Sequence, residues 1–262
     1  MGAKNILLPE QRRQLILQTI KENYTARSSQ LSVDLKVSEM TIRRDLDALE
    51  RQGMIKRTHG GAVFRHERMT DKFQYQLSKE ENREEKESIA RKAAELIEPH
   101  DVVFIGEGTT ASLILSYVDP EMPFTVFSNN HGIAAEIGSM TMAAELILLG
   151  GRYDSVTYAT AGNLTLEIIE RINANKVFLG VDGFSLRTGL TATNQDIAAI
   201  NRAMIRHTIG SVILMSHHTK LGLVGAMEIA KPKEIDILIT NLKMSRDFCN
   251  DMKSLGIKVV LA

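Results

Sequence analysis

The sequence predicts an α/β protein in two parts: a small N-terminal winged helix-turn-helix domain, then a larger α/β domain built on a mostly parallel sheet. Three observations lead there. Helical apolar spacing recurs in three short stretches before Arg51, the last of them basic along its free face. Two β-prone pieces flank Gly60-Gly61 directly afterwards, as in a hairpin. From Asp101 onward, short and wholly apolar runs alternate with helical stretches, the order expected of strands covered on both faces. The expected boundaries are residues 1–66 for the head, 67–85 for a linker and 86–262 for the larger domain.

Pro9 suits the first turn of a helix, and Leu15, Ile16 and Ile20 give residues 10–23 an apolar stripe. Ser28 and Ser29 precede Leu31 and Leu35, an i, i+4 pair on a second helix that should end near Val37, because Ser38 caps the next. Glu39 in the first turn of that third helix complements its dipole. Ile42, Leu46 and Leu49 then share one stripe, Met40, Arg44 and Arg51 point the other way, and Thr41 and Arg43 lie on the flanks. Gly53 stands where a left-handed C-cap would want it. Two helices joined by a tight turn, the second with a basic free face, make a helix-turn-helix whose last helix can enter the major groove of DNA. Met40 suits a thymine methyl, Thr41 a phosphate or base edge, and Arg43 and Arg44 a base edge or phosphate, with an ion pair to Asp47 as the competing use. Lys56, Arg57, His59 and Arg65 would surround the wing. Ser38, Met40, Thr41, Arg43, Arg44, Lys56, Arg57 and His59 are therefore the expected DNA-contacting residues.

Composition bounds the function. Formal net charge is zero, yet residues 1–70 hold 13 Lys plus Arg against 8 Asp plus Glu, about +5, which leaves the remainder about −5. A basic head on a mildly acidic body suits a head that meets phosphate. Cys249 is the only cysteine, which excludes an intramolecular disulfide and a Cys-rich zinc site and fits a reducing cytosol. Only three apolar residues stand between Asn5 and Pro9, and no apolar run reaches spanning length, so a cytoplasmic protein without a membrane partner is expected.

Residues 66–88 are dense in charge, Glu80, Glu81, Glu84, Glu85 and Glu87 alternating with Lys79, Arg83 and Lys86, and read as a linker passing into a solvated helix. Ile89, Ala93, Leu96 and Ile97 make that helix amphipathic, and Pro99 stops it. Strands are expected at 102–105, 124–127, 146–149, 177–179, 212–215, 235–239 and 259–261, and helices at 111–117, 164–172 and 197–208. Ligands bind such sheets beyond the carboxyl ends of the strands. Those ends read Gly106-Glu107-Gly108-Thr109-Thr110, Gly150-Gly151-Arg152, Gly180-Val181-Asp182-Gly183 and Ser216-His217-His218-Thr219-Lys220. Small residues admit a ligand to the backbone, while N–H groups and two hydroxyls at a helix start can hold an anion. Arg152 and Lys220 are the cations to place beside a phosphate. Turn geometry alone explains many glycines of this kind, but four such loops should converge on one edge of the sheet. His217 and His218, adjacent on an extended segment, would point apart and lack a third ligand at metal-binding spacing, so no metal is expected.

The pattern Arg12, Ile16, Ile20, then Ser38, Thr41, Ile42, Arg43, Arg44, Asp45, Leu46, followed by His59-Gly60-Gly61-Ala62, resembles the signature of the DeoR family of bacterial transcriptional regulators. The resemblance continues through Gly108-Thr109-Thr110, Asn129, Leu149-Gly150-Gly151, Gly180 with Asp182-Gly183, Gly189-Leu190-Thr191 and Lys220, nearly the whole chain. It implies a ribose-5-phosphate isomerase-like effector domain, without that activity, sensing phosphorylated sugars. The effector-binding residues expected from the loops and the resemblance together are Gly106, Glu107, Gly108, Thr109, Thr110, Asn129, Gly150, Gly151, Arg152, Asp182, Gly183 and Lys220. The chain also departs from the family pattern. Gly106 and His217 stand where the family commonly has Asp, and Asn201 where it frequently has Lys, so the anion corner is kept while the part that grips sugar hydroxyls is changed.

The expected function is a sequence-specific DNA-binding regulator, a repressor of a carbohydrate catabolic or transport operon, tuned on its operator by a phosphorylated sugar or related small molecule. The expected partners are operator double-stranded DNA, that effector, and further copies of the chain, because one short helix reads too few base pairs for useful specificity. No cofactor and no catalytic residue are expected. The competing reading is a sugar-phosphate isomerase with an appended DNA-binding head. It needs a general base, for which Glu107 and then Asp182 are the candidates.

Overall fold

The computed structural model describes residues 9–23, 25–52, 54–58, 60–64, 75, 78–138, 140–241 and 246–262. The chain divides into two compact units, Met1–Thr70 and Asp71–Ala262.

The first unit runs α1 (Pro9–Asn23), β1 (Thr25–Arg27), α2 (Ser28–Asp34), α3 (Glu39–Arg51), β2 (Ile55–Thr58) and β3 (Gly61–Phe64). Ser38 opens α3 as anticipated, its Oγ accepting the Thr41 N–H at 3.2 Å. Ile42, Leu46 and Leu49 are buried together with Ile16, Ile20, Leu31, Ile55 and Ala62, each isoleucine or leucine contributing roughly 1.5–3 kcal/mol by leaving water. The other tie between α1 and α3 is ionic. Arg12 Nε lies 2.6 Å from Asp45 Oδ2, and Arg13 Nε lies 3.2 Å from Asp45 Oδ1, with Asp45 only 3% exposed.

Three details differ from expectation. Helix α2 stops at Asp34, short of Val37, because Lys36 turns left-handed at φ 54° and Ser32 Oγ donates to Val37 O at 2.6 Å. Strand β1, too short to show an alternation, adds an antiparallel edge to the wing in the order β1-β3-β2. Gly61 belongs to β3 and not to the turn; a Cβ there would stand 2.0 Å from Ala26 O, so close backbone approach is what requires glycine. Gly53, His59 and Arg65 lie outside the described residues.

In the second unit, α4 (Arg83–Ala94) precedes β4 (Val102–Ile105), β5 (Thr125–Ser128), α5 (Gly132–Ile137) and β6 (Glu145–Leu148). A hairpin of β7 (Arg152–Asp154) and β8 (Ala159–Ala161) leads to α6 (Asn163–Ile169) and β9 (Ala174–Leu179). Then come β10 (Gly183–Ser185), β11 (Gly189–Ala192), α7 (Gln195–Arg206), β12 (Thr208–Met215), β13 (Met227–Ala230), β14 (Ile237–Thr240), α8 (Arg246–Ser254) and β15 (Lys258–Leu261). All seven expected runs are strands of one sheet, ordered β15-β14-β12-β9-β4-β5-β6, and each of its pairings is parallel. Successive side chains alternate between its faces. Phe104, Val177, Leu179 and Leu214 pack into one core, whereas Val103, Ile105, Phe178 and Ile213 pack into the other, which is why the runs are apolar throughout.

Several elements were not legible. The β7–β8 hairpin and the small antiparallel sheet β10-β11-β13 are built from strands of three or four residues. The segment Ala111–Tyr117 is a 3-10 helix, where an α-helix was expected. Helix α4 is not simply solvated, since Lys86 is buried to 4% exposure along with Ile89, Ala90 and Ala93. The strand order fixes the site. From β4 the chain steps outward to β5 and β6, then returns to β9 on the other side of β4 and steps outward the other way. Between β4 and β9 the connections diverge, and a crevice opens at their carboxyl ends.

Candidate functional site

On the first unit, Met40 (58% exposed), Arg43 and Arg44 lie open on the surface in the first turns of α3, and Lys56 is exposed on β2. Thr41 is half-buried, its hydroxyl 2.9 Å from Ser38 Oγ. The rival ion pair to Asp47 is made neither by Arg43, which stands 3.7 Å from Glu39, nor by Arg44. Arg57 takes that place. Its guanidinium meets Asp47 and donates to Arg43 O at 3.1 Å and Gly61 O at 3.2 Å, while its backbone N–H donates to Glu50 Oε1 at 2.7 Å. Arg57 thus clamps the wing to the third helix.

On the second unit, a cleft of about 350 Å³ lies where the topology requires it. Glu107, Gly108, Thr109 and Thr110 line it beyond β4, Gly180, Val181 and Asp182 beyond β9, and Ser216, His217 and Lys220 beyond β12. Tyr75, Ser78 and Lys86 close it from the N-terminal side, and Val156 and Thr157 from the β7–β8 turn. Sequence reasoning missed these. For Lys86 a signal existed, because Lys86, Ile89, Ala90 and Ala93 follow the i, i+3, i+4, i+7 spacing of a buried stripe. Tyr75 stacks on Tyr158 at 4.4 Å between ring centroids, and glycine at 132 makes room for its hydroxyl.

Of the expected effector residues, six do not line this cleft. Gly150, Gly151 and Arg152 follow β6, the edge strand two places from β4, and Arg152 pairs with Asp196 instead. Asn129 is buried and donates to Thr160 O at 2.9 Å, holding the hairpin. Gly183 begins β10, where a Cβ would meet Leu223 O at 2.5 Å. Gly106 packs beneath the loop, and a Cβ there would stand 2.7 Å from Leu179 Cδ2 and 3.2 Å from Asn201 Oδ1. That last contact joins two of the family departures. The two positions are neighbours here, and neither carries a charge in this chain.

The cleft is polar. Burial, then Asp182, pushes the Glu107 carboxyl up to about 7, with Asp154 adding to the shift and Lys220 opposing it. Burial lowers the Lys86 ammonium, with Lys220 adding to the shift and Glu81 and Glu80 opposing it, and its Nζ donates to Ser78 O. Burial likewise lowers His217, helped by Lys86 and Lys220. Asp182 Oδ2 accepts both the N–H and the hydroxyl of Thr193 at 2.7 Å. The cleft therefore brings two lysines and two carboxylates to one lining, Lys220 being near enough to oppose the shift of Glu107, a mixture of donors and acceptors that suits a polar ligand. The two histidines do not point apart as expected. A turn at His218–Lys220 lets both rings face Glu85, contributed by α4, with donor atoms of all three within 4.8 Å of one another.

A basic helix-turn-helix head on a parallel α/β unit with a polar cleft at its switch point defines a ligand-sensing, DNA-binding transcriptional regulator. Comparison narrows the class. Residues 81–242 match the DeoR C terminal sensor domain and residues 12–68 the DeoR-like helix-turn-helix domain. The HTH-type transcriptional regulator GolR of Listeria innocua is 31% identical over 98% of this chain and 100% of its own. The lactose phosphotransferase system repressor of Streptococcus mutans is 32% identical over 88% of this chain and 92% of its own. Ribose 5-phosphate isomerase A of Methanocaldococcus jannaschii superposes with a TM-score of 0.39 at 15% identity, covering 53% of this chain and 55% of that one, a likeness too distant to carry an argument. The chain belongs to the DeoR family of transcriptional regulators.

Proposed function

We propose that this regulator is a cytoplasmic repressor of a carbohydrate operon, that it grips its operator as a homo-oligomer, and that a phosphorylated sugar in the cleft loosens the grip. The cleft carries the reading. Lys86, Lys220, Thr109 and Thr110 all line it and offer donors for an anion, while Glu107 and Asp182 on the same lining supply acceptors for sugar hydroxyls. A relative named for the lactose phosphotransferase system supports the carbohydrate assignment. On the head, Met40, Thr41, Arg43, Arg44 and Lys56 contact DNA, with Ser38 fixing the start of the helix and Arg57 the wing. Coupling requires the sugar to favour one arrangement of the paired heads over the other.

The test is a thermal-shift screen of phosphorylated sugars followed by gel shifts with operator DNA. A ligand that raises the melting temperature should also release the DNA. A tight ligand that leaves the protein–DNA complex unchanged would refute the coupling. One observation favours a second reading, since Glu107 at about 7 has the proton affinity of a general base. Asp182, the carboxylate that acts most strongly on Glu107, is however engaged by the N–H and hydroxyl of Thr193. Incubation with ribose 5-phosphate should yield no ketose; turnover abolished by Glu107→Gln would establish the isomerase reading instead.

A further inference from the structure

We propose that Glu85, His217 and His218 form a site for one divalent transition-metal ion of the zinc type at the rim of the cleft, and that its occupancy strengthens the binding of an anion there. Two imidazoles and a carboxylate are the ligand set of three-ligand zinc sites that keep a fourth position for a non-protein ligand. The three donor atoms already lie within 4.8 Å of one another. Tetrahedral ligation at about 2.0–2.1 Å asks each donor to move inward by under about 1 Å from that spread, within reach of small side-chain rotations.

The hydrogen bonds point the same way. Asn241 Oδ1 accepts the backbone N–H of His218 at 3.0 Å, so the amide NH₂ is the group that meets the ring Nδ1 of His218 at 2.9 Å. That orientation makes Nδ1 an acceptor, with the ring proton on Nε2. The same unprotonated Nδ1 stands 3.6 Å from Glu85 Oε2. It has one lone pair, so an ion ligated there takes the place of the Asn241 amide hydrogen. The other ring is held from behind, with Thr219 Oγ1 2.7 Å from His217 Nδ1, the second-layer contact that commonly fixes a metal-binding imidazole and leaves Nε2 to the ion.

Lys86 and Lys220 face His217 and oppose a bare dication. An anion on those lysines removes the opposition, so ion and anion reinforce each other. This pairing rests on the donor geometry and not on the identity of the sugar or the operator.

The full chain, freed of metal with a chelator, is titrated with cobalt(II) while visible ligand-field absorption is followed. Saturation at one equivalent, displacement of the colour by zinc, and weakening by at least about 10-fold in both Glu85→Gln and His218→Ala are expected. Equal melting temperatures of chelated parent and variants establish that the variants fold. Inorganic phosphate should tighten the cobalt affinity of the parent. An absence of saturable absorption in the parent, or an affinity unchanged in Glu85→Gln, would overturn the site; a cobalt affinity indifferent to phosphate would overturn the coupling.

Discussion

Asp45 is the residue on which the geometry of the DNA-reading helix turns, and its replacement by alanine has a calculable effect. Asp45 sits on α3 at 3% exposure and joins Arg12 and Arg13 of α1 at 2.6 and 3.2 Å. Removing one partner of a buried pair costs about 3–5 kcal/mol, chiefly because the other charge stays buried. Arg13 can swing into water, its side chain being 29% exposed, but the Arg12 side chain is only 9% exposed, so the lower end, about 3 kcal/mol, applies. A head of this size is stable by roughly 3–9 kcal/mol in total. Asp45→Ala should therefore speed hydrogen exchange at the slowest amides of α1 and α3 by roughly 150-fold, leave β4 and β9 unchanged, and abolish operator retention in a gel shift. Arg12→Met/Asp45→Leu should recover most of the protection, because an apolar pair of similar volume leaves no stranded charge. Parental exchange rates in Asp45→Ala would refute the claim that this ion pair holds the helix in place.

Arg44→Ala should weaken operator binding by about 1–3 kcal/mol if it reads a guanine, and unchanged affinity in a gel shift would remove Arg44 from the interface. Lys220→Ala should abolish the response to the effector while leaving DNA affinity intact, as read by induction in a reporter strain; equal induction of variant and parent would count against the anion site. Glu107 is raised from its ordinary value to about 7, so the native state holds a proton that the unfolded chain gives up, and stability contributed below the ordinary carboxylate range is lost as pH climbs toward about 7. The same ionisation places a negative charge in the cleft, so calorimetric affinity for a phosphorylated ligand should fall between about pH 6 and 8. Glu107→Gln should flatten both slopes, and a variant with the parental pH profile would show that Glu107 does not face the ligand. Gly61→Ala should lower the melting temperature of the head, since its Cβ would collide with Ala26 O; an unchanged melting curve would contradict the packing of β1 on β3.

Local signals carried far in this chain. The Ser38 cap, the Ile42, Leu46, Leu49 stripe and the wholly apolar strands each depend on residues close together in sequence, and each is present in the structure. What sequence could not supply was strand order. Loops after β4, β6, β9 and β12 look alike as glycine-bearing strand ends, but β6 is an edge strand, which carries Gly150, Gly151 and Arg152 away from the cleft. Pairings across long separations were equally hidden. Asp45 finds Arg12, Asp47 finds Arg57, and Glu85 finds His218, and nothing local to either partner announces the other. Lys86 was misjudged for a different reason: charge density around it suggested solvent, whereas its spacing with Ile89, Ala90 and Ala93 already placed it on the buried face.

The most direct trial is a selection from a random duplex pool by the full-length protein, repeated with a phosphorylated sugar that stabilises it. Enrichment of a symmetric pair of half-sites, lost when the sugar is added and lost again in Arg44→Ala, is the predicted outcome. A pool that stays random after repeated rounds, or an enriched duplex held equally well with and without the sugar, would contradict the account.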